Sequence, residues 1–225
     1  MKKIGVVSRE SSLIPEIKKK IKEYGFSFNV KPDIVLSIGG DGTFLVAERK
    51  YPEIPKILIK YNSICRKCAA FDIDHILKSL KDGNYKINEI KKLEASCKNK
   101  KLQAVNDIII RNKKQYAALR FSLRVDGKDI GNFIGDGIVA ATSFGSTAYF
   151  HSITRKNFDK GFAIALNNPT EKHEAISFKE KVEMKIIREK ATISADNNED
   201  IITASEGGTI TIYPKGSTKI IELHK

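Results

Sequence analysis

The sequence predicts an α/β protein in two parts. An N-terminal open α/β domain is expected over residues 1–86. An all-β, sandwich-like domain is expected over residues 87–225, with the last strand or strands able to return to the first domain. Three observations lead there. Strand and helix patterns alternate through the first part of the chain. Beyond it, apolar and polar residues alternate at period two and helical periodicity nearly vanishes. The chain has 225 residues, 41% apolar and 30% charged, which suits ordered cores and not disorder.

The elements follow in order. KKIGVVS (2–8) is a short buried-strand pattern. In residues 13–24, Leu13, Ile14, Ile17, Ile21 and Tyr24 recur at helical spacing with lysines opposite, and Gly25 is placed to end the helix. FSFNV reads as a second strand, and DIVLSIG as a third, apolar enough to be buried on both faces as central parallel strands are. FLVAERKY begins a helix, KILIKY is a strand, and DIDHILKSLKDG is a helix stopped at Gly83. Together these describe an open α/β sheet of the Rossmann-like kind. Then come KLQAVNDIIIRN, AALRFSLRVDGKDIG, VEMKIIRE, ATISAD, GTITIYPKG and KIIELHK, with Asp126-Gly127 and Lys215-Gly216 expected as turns between runs.

Composition excludes several classes. No apolar run reaches the roughly 18 residues of a spanning helix. The start, MKKIGVVS, is too brief and strand-like for a signal peptide, so a cytoplasmic protein without membrane contact is expected. The net charge of +13 suits polyanions. However, Lys18, Lys19, Lys20 and Lys22 read as a solvated helix face, and no nucleic-acid motif accompanies them, so nucleic acid is not an expected partner. Cys65 and Cys68 stand at C-x-x-C spacing without a second ligand pair for zinc. Reduced thiols without a special role are expected, with a redox dithiol as the alternative. His151 and His173 receive no catalytic role, and no residue is assigned as a metal ligand.

The chemistry centres on VLSIGGDGTFL (35–45). A buried strand stops at Gly39-Gly40 and a single acid follows. The carboxyl end of a parallel strand is where α/β sheets bind ligands. Gly39, Gly40 and Gly42 let backbone N–H groups approach phosphate oxygens, and the following helix points its positive end there. Asp41 could hold a metal or take a proton from an alcohol attacking phosphorus. A Gly-rich turn with a helix-capping Asp is the purely structural alternative.

Two further stretches stand out. Residues 135–149, GDGIVAATSFGSTAY, carry small residues and hydroxyls, with too few large apolar groups for a core role to be expected. Ser143, Ser146 and Thr147 offer hydrogen bonds there. Asn106-Asp107 interrupts an apolar run, so its polar groups need a ligand, a turn or a bulge.

GGDGT at 39–43, ND at 106–107, and GDG with GSTAY at 135–149 occur in that order, and the set resembles the NAD kinase family. The glycine–Asp motif alone is shared with diacylglycerol-type lipid kinases, and GSTAY is what separates the NAD kinases from them. The resemblance extends to the closing EGGTITIYPKG, and it implies an α/β domain plus a β-rich domain.

It implies, too, transfer of the γ-phosphoryl group of ATP or polyphosphate to the adenosine ribose 2′-hydroxyl of NAD, with Mg²⁺. It casts Asp41 as the base, with Gly39, Gly40, Gly42 and Thr43 around the phosphates. Asn106, Asp107, Asp136, Thr147, Ala148, Tyr149, Ser152 and Asp196 would bind NAD, in a homodimer or homotetramer. Asp107 stands where the family usually has Glu. Residues 61–68 and 150–158 replace glycine-containing segments of the family. Two alternatives therefore stay open: a nucleotide-binding sensor on the same fold, and a kinase of another alcohol such as a lipid, sugar or nucleoside.

Overall fold

The computed structural model describes residues 1–63 and 67–224, and its chain forms two compact units. One comprises Met1–Ile90 with Ser217–Lys225, the other Lys91–Gly216. Cys65 lies outside the described residues. Cys68 is disulfide-bonded. That corrects the expectation of a reduced thiol at this position.

In the first unit, β1 (Lys3–Ser8) leads through a short 3-10 turn to α1 (Ile14–Glu23). Then come β2 (Ser27–Phe28), β3 (Ile34–Gly39), α2 (Asp41–Lys50), β4 (Lys56–Lys60) and α3 (Ile73–Asp82). The strands are parallel in the order β2-β1-β3-β4. The C-terminal segment adds a further parallel contact, Ile220 against Lys56.

Every residue of β3 is buried, which is why its sequence shows no alternation. Ile17 and Ile21 of α1 and Ile73, Ile76, Leu77 and Leu80 of α3 join the strand residues in one apolar core. α3 starts on Asp72, whose side chain accepts the His75 N–H at 2.9 Å, and ends at Gly83 in the left-handed region. FSFNV contributes only the two residues of β2, a shorter strand than its composition suggests.

The second unit is antiparallel. β5 (Tyr85–Cys97) enters it and pairs with β6 (Lys100–Ala104). There follow β7 (Asp107–Asn112), β8 (Leu119–Val125), β9 (Lys128–Gly135) and β10 (Gly137–Thr142). After a 3-10 turn at Gly145–Thr147 comes α4 (Tyr149–Thr154). The strands β11 (Phe162–Asn167), β12 (Ile176–Phe178), β13 (Val182–Arg188), β14 (Ala191–Ala195), β15 (Ile202–Ala204) and β16 (Thr209–Leu223) complete the chain.

One sheet runs β12-β11-β10-β7-β14-β15, and β16, β13, β8 and β9 adjoin in the other. Ile108, Ile110, Ile138, Ala140 and Ile193 from the first share a core with Phe121, Leu123, Met184, Ile186, Ile210 and Ile212 from the second. This is sandwich packing.

Two expectations are corrected. Lys215-Gly216 is no turn: Gly216 has φ 75 but lies inside β16, where glycine accommodates an irregularity without ending the strand. The run 137–142 is core after all. β10 lies between β11 and β7 and is buried throughout, with Ile138 and Ala140 toward the sandwich and Val139 and Ala141 against Phe150 of α4. Small side chains suit a strand covered closely on both faces.

Candidate functional site

In the first unit, β3 ends at Gly39 and α2 begins at Asp41, so Gly40 is the only residue between strand and helix. Gly39 has φ 152, and a Cβ there would stand 2.3 Å from Thr43 Oγ1. No side chain fits, on grounds of both conformation and space. The Gly40 carbonyl accepts the Thr43 and Phe44 N–H groups at 3.0 and 3.2 Å, which starts the helix.

The chain after β4 returns to this corner. Ser63 Oγ donates to the Gly39 carbonyl at 2.6 Å and Tyr61 N–H donates to it at 3.1 Å, while a Cβ on Gly40 would meet Ser63 at 3.2 Å. Tyr61 and Ser63 thus pack on the GGDGT corner by backbone and hydroxyl contacts. Asp41 is exposed, in the first turn of α2, at the positive end of the helix. Desolvation lowers the pKa of the Lys67 ammonium, and the Asp41 charge opposes that fall.

In the second unit, the Asn106-Asp107 interruption is a turn between β6 and β7. Asp196, with φ 49, directs its carboxylate at this turn. It accepts the N–H groups of Val105, Asn106 and Asp107 at 2.8, 2.8 and 3.2 Å. Gly145 of the GSTAY stretch lies against the same turn, and a Cβ there would come within 2.1 Å of the Asn106 carbonyl oxygen. The Asp107 carboxylate is buried and accepts the Tyr149 N–H, so it ties the ND turn to the start of α4.

Burial and the neighbouring Asp196 charge push the Asp107 pKa from 3.8 up to about 7, against the Tyr149 hydrogen bond, which lowers it. A folded-state carboxylate pKa raised above its unfolded value means that the native state holds a proton the unfolded chain has released. The associated stability is complete below about pH 4 and is lost as pH rises through 7. Asp107→Asn removes the ionisation and keeps an acceptor for Tyr149 N–H. Denaturant melts at pH 8 should show the variant more stable than the parent by up to about 4 kcal/mol, with the gap closing at pH 4. Equal gaps at both pH values would contradict the proton on Asp107.

Tyr149 itself is half-buried. Its ring lies under the Arg111 guanidinium, 4.8 Å from Cζ to the ring centroid, and its hydroxyl accepts from Arg111 Nη2 and from Asn167 Nδ2 at 3.4 Å. Arg111, Asn112, Lys114, Asp136, Tyr149 and Asn167 line a cleft of about 320 Å³. Asp136 accepts the Asn168 Nδ2 hydrogen bond at 3.2 Å. Thr147 and Ser152 are exposed and Ala148 half-buried around the start of α4. Ser146 Oγ donates to the Phe158 carbonyl at 3.0 Å, a structural bond. Phe150 and Phe158, from the 150–158 segment that replaces glycines of the family, pack edge to face. Lys156 pairs with Glu174 at 2.5 Å in the open.

In the second unit, then, Asn106, Asp107 and Asp196 form one cluster that also reaches Tyr149, and Tyr149 shares a cleft with Asp136. Arg111, Asn167 and Thr142 were invisible in the sequence. Arg111 is simply an outward polar residue of β7, and no local pattern marks it. Asp41 with its glycines belongs to the first unit. Among the described residues, no group of three or more His, Cys, Asp and Glu side chains could hold a metal.

No family model matches the chain. It is 34% identical over 131 residues to the NAD kinase of Clostridium beijerinckii, covering 53% of this chain and 45% of that protein. With the NAD kinase of Chlorobium limicola it shares 34% over 124 residues, covering 52% and 43%. The chain therefore spans about half the length of these two curated relatives or slightly less. The NAD kinase of Sulfurimonas denitrificans aligns over 100% of this chain and 92% of its own length, at 26% identity.

Two crystal structures share the fold. An NAD kinase from Archaeoglobus fulgidus in complex with ATP matches with a TM-score of 0.82 at 21% identity, covering 99% of this chain and 94% of that one. Yeast NADH kinase complexed with NADH matches with a TM-score of 0.83 at 14% identity, covering 100% and 84%. Motif order, the end-to-end alignment and the shared fold agree: the chain is similar in sequence to NAD kinases and shares their fold.

Proposed function

We propose that this protein transfers the γ-phosphoryl group of ATP to the adenosine ribose 2′-hydroxyl of NAD, producing NADP and ADP. The observation that carries the reading is Asp41, an exposed carboxylate in the first turn of α2, reached directly from a buried parallel strand through two glycines. The names of the relatives support the same reaction.

In this reading the α2 N-terminus and the backbone of Gly40, Gly42 and Thr43 receive phosphate oxygens. Asp41 takes the proton of the 2′-hydroxyl as that oxygen bonds to the γ-phosphorus. The bond from γ-phosphorus to the bridging oxygen breaks, and ADP leaves with the electron pair. Mg²⁺ arrives as part of the MgATP substrate and neutralises the charge on the phosphates. Asn106, Asp136, Thr147, Ala148, Tyr149 and Ser152 bind the dinucleotide, with the Tyr149 ring as its flat apolar contact and Arg111 fixing the ring's pose. Asp107 contributes by holding Tyr149 N–H.

The test is NADP formation by purified protein supplied with NAD and MgATP, run beside polyphosphate as donor and beside NADH, a diacylglycerol and a nucleoside as acceptors. Turnover of NAD well above the lipid and the nucleoside supports the reading. Turnover of one of those and not of the dinucleotides overturns it.

A further inference from the structure

The sequence resemblance casts Asp196 as one more group binding the dinucleotide, but its geometry suits a different task. Each backbone polar group of the 105–107 turn has a partner, and only two residues supply all of them. Asp196 takes the three N–H groups, from Val105, Asn106 and Asp107. Its own N–H donates to the Asp107 carbonyl at 3.0 Å. On the β10 side, Thr142 Oγ1 donates to the Val105 carbonyl at 2.6 Å and Thr142 N–H donates to the Asn106 carbonyl at 2.9 Å. Thr142 Oγ1 also accepts the Gly145 N–H at 3.0 Å, which brings the GSTAY turn into the same bracket.

A buried turn with every donor and acceptor satisfied has one backbone geometry, because any departure leaves polar groups unpaired. Asp reaches φ 49 more readily than most residues, so the clamp is built from a side chain that tolerates the required conformation.

We propose that Asp196 is the positioning residue for Asn106 and Asp107, a carboxylate that acts on bound dinucleotide through the turn it holds. The dinucleotide part rests on the kinase reading above, whereas the clamp itself does not. The groups acting on the Asp107 carboxylate are Asp196, from the end of β14, and the Tyr149 N–H, from α4. Asp196 therefore affects both where Asp107 sits and when it ionises.

The experiment uses the full chain with Asp196→Ala and Asp196→Asn. In Asp196→Ala, amide hydrogen exchange at Val105, Asn106 and Asp107 should accelerate while the β10 amides stay protected. The KM for NAD should rise roughly 100-fold, the cost of about 1 Å of misplacement, with the KM for ATP unchanged. Asp196→Asn keeps a carbonyl acceptor and should recover most of the NAD affinity. Because it removes the charge beside Asp107, it should also move the inflection of the NAD-binding pH profile below 7.

Unchanged exchange at 105–107 in Asp196→Ala overturns the clamp, even if NAD binding weakens, since that pattern belongs to a group touching the ligand. If Asp196→Ala does not fold, the pH shift and exchange in Asp196→Asn decide instead. If the wild-type protein binds no NAD, the kinase reading fails, and the exchange result still decides the clamp.

Discussion

On the proposed kinase reading, Asp41→Asn should abolish nearly all NADP formation, with kcat falling by roughly 10²–10⁴-fold, the usual contribution of a positioned general base. Asparagine keeps the size, the planar shape and an acceptor oxygen, so helix and glycine corner persist. What it loses is the ability to take a proton at neutral pH. The cost to folding is small, because Asp41 is exposed. Its charge at the positive end of α2 contributes only about 0.3–1 kcal/mol.

The variant should thus melt close to the parent and still bind NAD, because the proposed dinucleotide contacts are elsewhere in the sequence. Steady-state kinetics with MgATP, paired with calorimetric NAD binding, checks both halves. Retained turnover would remove Asp41 from the chemistry. Loss of turnover together with loss of NAD affinity would recast it as a binding group.

The second large effect is on stability. Lys56, at the start of β4, is fully buried, as is Thr218, and Glu48 of α2 is nearly so. The Lys56 ammonium donates to Glu48 Oε2 and to the Tyr51 and Ile54 carbonyls at 2.6 and 2.8 Å. Thr218 Oγ1 donates to the same Glu48 oxygen at 2.6 Å. This cluster joins α2, β4 and the returning C-terminal residues within the first unit.

Lys56→Met takes the counter-charge from the buried Glu48 carboxylate and the donor from two carbonyls, and should cost about 3–5 kcal/mol in urea unfolding. Glu48→Leu, which leaves the buried ammonium its two carbonyl acceptors but no counter-charge, should cost about as much. The double variant should recover most of that loss, because a buried ion pair replaced by apolar groups of similar volume is often neutral or stabilising. Additive losses would show that the two residues act separately.

The elements with strong local patterns were legible in the sequence. Ile17 and Ile21 recur at helical spacing with lysines opposite, and α1 buries those two. DIVLSIG reads as a strand covered on both faces, and β3 is. The Gly-Gly-Asp corner announced itself because φ 152 at Gly39 and the 2.3 Å approach of Thr43 leave glycine as the only occupant.

Reading failed where partners are distant in the chain. The run 137–142 looked too small for a core because nothing local says that β10 is covered on both faces. Lys56 in KILIKY looked like an ordinary charged residue at a strand end, since the acid that holds it lies 8 residues away and the hydroxyl that holds that acid lies 170 residues from it. Asp196 stood out only through family resemblance, and its three N–H donors are 89 to 91 residues away.

The sequence by itself determined the α/β start, the change to antiparallel strands, the glycine corner with its acid, and the resemblance to NAD kinases. Each of these is written in neighbouring residues, through periodicity, backbone conformation or a contiguous motif. The tertiary structure decided which polar groups are buried and what satisfies them. Glu48 holds Lys56, Asp196 and Thr142 bracket the 105–107 turn, and burial, with the charge of Asp196 second, raises the Asp107 pKa. Those outcomes depend on desolvation and on hydrogen-bond geometry between remote segments, and the cost of burying a charge or an amide exists only once the chain has brought its partner to it.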